Sequence, residues 1–302
     1  MRYFIFIAPL ILSGCLSLGT VLPEAAPDVL KAEAETQTAA AFEKYVTLND
    51  RLQRVGRRIL ISNESLCDRH MLYIGAQTAT LKTFPKPLRD YAKSQGFDET
   101  PRVLYTGRDD IARADHIENA DGEPITIYDK DYYGDIYIDG KQVKTRALTA
   151  CQYPLKLTYS PAVNAYATGR TIRVTTGMME FADDDELAII IGHELAHNTE
   201  GHIAKIVTSR IAGLGTGRFS RQYESEADYV GLYYAARARF DISKAPGIWR
   251  RIGLMSVRSM GEGKSHPTTP ERYVRLAAGI EEIERKREAG VPLLPQRKAK
   301  AK

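Results

Sequence analysis

His193-Glu194-Leu195-Ala196-His197 brings two imidazoles and a carboxylate into five consecutive residues. On a helix, positions four apart differ by ~40° around the axis and ~6 Å along it, so both imidazoles project from one face. Placed so, they suit one tetrahedral zinc ion, each giving a ring nitrogen at ~2.0–2.1 Å. Glu194 leans over such a metal without binding it, where it can take a proton from a metal-activated water. Chance alone places this pattern in about one chain in a hundred of this length and histidine content. The plain alternative, two surface histidines on an amphipathic helix, is the weaker account.

The flanking residues predict the helix that would hold the motif. Asp183 is a good N-cap, and Glu186 three residues later completes a capping-box pattern. Leu187, Ile190, Ile191 and Leu195 give a wide apolar face, while Asp184 and Asp185 favour the positive end of the dipole. Such a helix is mostly buried, and a buried histidine needs a partner, which a metal supplies. A catalytic zinc needs three protein ligands plus water. Glu224 and Asp228, four apart on an expected helix from Glu224 to Phe240, share a face, and Glu226 points roughly to the other side. Glu224 is assigned as third ligand and Asp228 as the carboxylate that orients a metal-bound imidazole. The competing account of this segment is an ordinary acidic helix start stabilised by the dipole. His202 follows Gly201, where the metal helix should end, and reads as a charge partner for that helix end rather than a ligand.

Residues 160–275 resemble the membrane-associated zinc metallopeptidases typified by the CAAX prenyl protease, HtpX and the BepA-like periplasmic proteases. The matching features run in order: Val163-Asn164-Ala165-Tyr166-Ala167, Thr171 to Gly177, Asp185-Glu186-Leu187-Ala188, the zinc helix, Glu224 with Asp228, and His266-Pro267 with Arg272. The resemblance implies a gluzincin endopeptidase with one Zn2+ per chain held by His193, His197 and Glu224, and Glu194 as catalytic base. Asn164 and Ala165 match the edge-strand position that holds substrate backbone extended, although Asn164 reads equally well as the start of a turn. Arg272 is carried over as a substrate contact. His266 matches a histidine near the metal, with two roles open: donor to the oxyanion, or a fourth ligand that gates the site. The implied reaction is hydrolysis of peptide bonds in envelope or misfolded proteins by zinc-activated water. The rival is an anchored, chaperone-like binding lipoprotein with a gated or inactive zinc site.

At the N-terminus, Arg2 precedes an apolar run from Tyr3 to Leu12, about ten residues where a bilayer span needs ~20. It reads as a signal-peptide core, and Leu12-Ser13-Gly14-Cys15 resembles a bacterial lipobox whose cleavage leaves Cys15 lipidated. A plain signal peptide is the alternative. Several acyl chains on one cysteine give stable anchoring. The expected place is the bacterial envelope, facing the periplasm, and Leu16 points weakly to the outer membrane. In that oxidising setting Cys67 and Cys151 form an even pair and are predicted to bridge, with two buried free thiols as the alternative.

Net charge is +4 with 26% charged residues, an ordinary balance whose basic excess gathers at Arg285-Lys286-Arg287 and in the tail. No nucleic-acid motif accompanies it, so no nucleic-acid partner is expected; the expected partners are protein or peptide substrates, the membrane through Cys15, and an envelope-assembly protein. The fold class predicted is α+β: a mostly helical zincin-type core with a small sheet and edge strand, plus a β-rich inserted region. The expected divisions are a signal peptide at 1–14; anchor, spacer and N-terminal helix at 15–66; a β-rich region at 67–150 that loosely resembles a degenerate PDZ-like insertion; the protease core at 151–290; and a basic tail at 291–302. Within the insertion, Pro85 to Gly96 reads as a helix, Ile125 to Tyr128 as a strand, and Ile136 to Val143 as a hairpin turning at Asp139-Gly140. Residues 203–222, with Gly213, Gly215 and Gly217, read as a loop, followed by helices around Pro246 to Val257 and Glu271 to Glu288.

Overall fold

The computed structural model describes residues 23–73, 77–105, 117–118, 136–138, 141–143, 148–211, 217–256, 258–261 and 267–297. Cys15, His266, Gly213, Gly215, Asp139-Gly140, the expected strand Ile125 to Tyr128 and the last five residues of the tail lie outside them. In chain order the elements are α1 (Pro27–Ser62), β1 (His70–Tyr73), β2 (Gln77–Ala79), α2 (Arg89–Ser94), β3 (Arg102–Tyr105), β4 (Ile117–Glu118), β5 (Ile136–Ile138), β6 (Lys141–Val143) and β7 (Leu148–Cys151). They continue with β8 (Leu155–Thr158), β9 (Ala165–Ala167), β10 (Ile172–Thr175), α3 (Thr176–Phe181), α4 (Asp184–Thr199), α5 (His202–Ile211), α6 (Gly217–Arg237), α7 (Ala245–Leu254), α8 (Arg258–Gly261) and α9 (Thr269–Glu288). The class is α+β, with a helical core and small sheets. Among the described residues no helix is long and apolar enough to cross a membrane.

The centre of the molecule is α4. Its capping box forms as the sequence predicts: Asp183 accepts the Glu186 N–H and Glu186 accepts the Asp183 N–H, both at 3.0 Å. Every residue from Glu186 to Asn198 is buried, so the helix is enclosed on all sides rather than on one stripe. On one side lies the sheet β8-β10-β9, in which β10 pairs parallel with β8 and antiparallel with β9. That order leaves β9 at an edge.

On the other side α6 crosses α4 at two glycines. A methyl group on Gly192 would come within 2.5 Å of the Gly231 carbonyl oxygen, and one on Gly231 within 2.5 Å of the His193 nitrogen. Only glycines allow backbones this close, and the contact falls beside the first motif histidine.

The long helix α1 is part of the same core. Phe42, Tyr45, Leu52, Val55, Ile59 and Leu60 are buried, and Gly56 admits the Leu155 side chain of β8. Arg51 donates to Asp184 and to the carbonyls of Met179 and Ala182, tying α1 to the start of the metal helix. At its other end, Asn63 donates to the Tyr234 carbonyl and accepts from Arg237, which fixes α1 to α6. Phe84 and Phe97 pack on Phe42, joining the segment around α2 to α1. Cys67 and Cys151 are bonded, with Cα atoms 5.6 Å apart and a sequence separation of 84.

Two expectations need correction. Residues 203–211 and 217–222 are helical rather than loop: α5 occupies His202–Ile211 and α6 already starts at Gly217. Apolar Ile203, Ile206 and Val207 at helical spacing outweigh the glycines that follow them. Glu224 therefore lies two turns inside α6, so the reading of an acidic helix start fails. Pro85 to Gly96 is helical but not one α-helix: a 3-10 turn at Lys86–Leu88 precedes six residues of α-helix, because Pro87 disfavours the α conformation at Lys86 before it.

Candidate metal centre and active site

The structure brings His193, His197 and Glu224 together with one donor atom from each inside a 4.8 Å span. His193 Nε2 lies 3.1 Å from His197 Nε2, and each lies 3.4 Å from a Glu224 oxygen. Bonds of ~2.1 Å arranged tetrahedrally put neighbouring donors ~3.4 Å apart, so the spacing matches three vertices around zinc. The residue types match too, two imidazoles and a carboxylate being a gluzincin donor set. The three residues fit one zinc ion.

The other ring nitrogens are occupied, which turns both Nε2 atoms inward. Asp228 Oδ1 accepts from His193 Nδ1 at 2.9 Å. Burial alone would raise the Asp228 carboxyl, but the Arg272 guanidinium and the His193 hydrogen bond hold it below the usual carboxylate range. Burial alone would likewise lower the His193 imidazole, and the Asp228 and Glu224 carboxylates pull it up instead. The pocket is thus built to hold positive charge.

Glu194 follows His193 directly on α4 and is buried to all but 8%. Among the described residues no group donates a hydrogen bond to its carboxylate, so its lone pairs are not taken up by another side chain or the backbone. That is the requirement for a proton acceptor.

Arg272 does not occupy the place the resemblance implied. It is 6% exposed, its Nε and Nη2 donate to Asp228 at 2.7 and 2.5 Å, and its plane stacks on the Trp249 ring at 3.2 Å. The guanidinium is spent on an internal carboxylate, so Arg272 supports the metal site from behind instead of meeting substrate.

Asn164 flanks β9. Its N–H donates to Thr175 Oγ1 and its carbonyl accepts the Thr175 N–H at 3.0 Å, so its backbone belongs to the sheet margin while its side chain is exposed. Ala165 opens the edge strand opposite Val174. The sequence reading missed Asn198, Gly192 and Gly231, and it misplaced His202. His202 is completely buried; its Nδ1 meets His197 Nδ1 at 3.0 Å and its Nε2 meets Glu226 at 3.0 Å. Burial pushes its pKa down to about 4, so it is a neutral internal imidazole and not a charge at a helix end. The signal available was the pattern His197-x-x-x-x-His202, which a strict helix would have placed out of contact.

His193, His197 and Glu224 on α4 and α6 form a donor set of the kind that zinc metallopeptidases use. Residues 141–212 and 204–279 match the profile of peptidase family M48, and the donors and Glu194 fall inside those spans. Among similar proteins, the mitochondrial metalloendopeptidase OMA1 of Arabidopsis thaliana is 28% identical over 158 residues, 44% of this chain and 33% of its own. The protein of the same name from Schizosaccharomyces pombe is 26% identical over 176 residues, 48% of this chain and 52% of its own. The mitochondrial metalloendopeptidase OMA1 of Danio rerio is 29% identical over 160 residues, 41% of this chain and 32% of its own. The chain thus spans a third to about half of the length of these relatives. These matches support a metalloendopeptidase. No solved structure matches the chain.

Proposed function

We propose that this protein is a zinc-dependent endopeptidase that cleaves unfolded or misfolded proteins at the metal centre of α4 and α6. The observation that carries the reading is the donor triangle of His193, His197 and Glu224 beside a carboxylate, Glu194, with no competing partner among the described residues. A zinc ion held there supplies Lewis acidity, acidifying water and polarising a carbonyl. The residues do the rest. Glu194 takes the proton of the attacking water and returns it to the leaving amine. Asp228 keeps the His193 proton on Nδ1, backed by Arg272. The edge of β9, unpaired among the described residues, offers backbone groups to an extended substrate, with Asn164 and Ala165 at its entry.

We further infer a lipid-anchored envelope protein, of the kind related to the CAAX prenyl protease, HtpX and BepA-like enzymes, with Cys15 as the acylated residue. The support is the Leu12-Ser13-Gly14-Cys15 pattern and a disulfide that suits an oxidising compartment. Because α1 packs into the same core, we assign it with residues 151–290 to the catalytic unit. His266 is retained as the residue that gates the metal or donates to the oxyanion. His266→Ala raises turnover in the first case and costs about 10²–10³ in the second.

Metal analysis of the full-length chain tests the centre. One zinc per chain is expected, with occupancy lost in His193→Ala, His197→Ala and Glu224→Ala. Full occupancy in Glu224→Ala with loss in Glu226→Ala contradicts the donor set. Cys15→Ser tests the anchor: unchanged processing and membrane fractionation of that variant contradict it.

A further inference from the structure

Both metal-facing histidines are backed by a carboxylate of α6, but by different routes. His193 meets Asp228 directly, whereas His197 reaches Glu226 only through His202. Glu224, Glu226 and Asp228 thus serve three directions from one stretch of helix. The turn between α4 and α5 makes the second route possible. Gly201 takes a left-handed conformation, φ +67°, and swings His202 back over His197.

Proton counting fixes the relay. His197 Nε2 must be bare to bind a metal, so its hydrogen sits on Nδ1 and points at His202 Nδ1. That nitrogen must then be bare, which puts the His202 hydrogen on Nε2, facing the Glu226 carboxylate. Tyr223 stacks on the His202 ring at 4.7 Å and 20°, holding its plane. The Glu226 side chain is 44% exposed and borders a cavity of 1130 Å³ whose lining includes Tyr223 and Lys205 but none of the three donors. The route runs from a metal ligand to solvent on the side of His197 away from the donor triangle.

Resting on the reading of His197 as a ligand, we propose that His202 and Glu226 are positioning residues that fix the His197 tautomer and raise its basicity toward the metal. Outer partners of ligating histidines commonly change metal affinity 10–100-fold.

The test titrates the metal-depleted full-length chain with Zn2+ against a chromophoric chelator and records visible spectra with Co2+. Glu226→Gln keeps the shape and, being at the surface, leaves the fold intact. It should still bind one ion, about tenfold more weakly, with a shifted Co2+ absorption. His202→Ala should weaken binding toward 100-fold. A Glu226→Gln chain with parental zinc affinity and an unchanged Co2+ spectrum overturns the relay. A parent chain that binds no ion, or a His197→Ala chain that keeps full affinity, overturns the metal reading beneath it.

Discussion

Asn198 Oδ1 accepts the backbone N–H of Gly169 at 2.7 Å, from the position directly after the second motif histidine. Its Nδ2 donates to the Thr171 carbonyl at 3.3 Å, so one amide holds both sides of the turn between β9 and β10. The metal helix and the edge strand are thereby locked in register.

From this contact follows the first prediction. Asn198→Ala loses two hydrogen bonds worth about 1 kcal/mol each and lets the edge strand drift. KM for an unfolded protein substrate should rise about tenfold, with zinc content and kcat close to parental. Unchanged kinetics would mean that β9 does not hold substrate.

The Gly192–Gly231 crossing makes a second prediction. A methyl at Gly231 has backbone in its way and cannot be absorbed by a side-chain rotation. Gly231→Ala should cost about 1–3 kcal/mol in denaturant unfolding and weaken zinc binding, because α4 and α6 carry the donors between them. Parental stability and metal affinity would show that the helices part without moving the site.

Arg272→Ala separates a structural from a substrate role. It takes the guanidinium from the buried Asp228 carboxylate and leaves it only the His193 Nδ1 contact, a loss of about 3–5 kcal/mol where a buried ion pair is broken. Thermal unfolding should show this loss together with weaker zinc binding. A raised KM at parental stability would restore Arg272 to the substrate.

The bond between Cys67 and Cys151 closes a loop of 84 positions, for which chain entropy gives about 4–5 kcal/mol. Cys67→Ser should lower the unfolding midpoint by several degrees, and denatured, unreduced parent should expose no thiol from this pair. Two free thiols there would remove the bridge.

What the sequence made legible was local. The Asp183 cap, the i,i+4 histidines and the Glu224/Asp228 face depend only on helical geometry, and each is found where its spacing places it. The relations that required two distant segments were not readable. Gly192 and Gly231 look like helix-weakening residues until the two helices are seen to cross. Arg272 cannot be told from a substrate contact until Asp228 and Trp249 enclose it, and His202 looks terminal until Gly201 folds it back. The helix α5 was hidden because glycines downstream masked a short apolar repeat.

The central claim is that Glu194 moves protons at a metal held by His193, His197 and Glu224. Digestion of unfolded casein by the purified full-length chain, run beside Glu194→Gln with zinc content measured in both, tests it most directly. The account predicts cleavage by the parent that a zinc chelator abolishes, and a Glu194→Gln chain that keeps its zinc but cleaves at least about 10²-fold more slowly. Undiminished cleavage by Glu194→Gln at full zinc occupancy would contradict it.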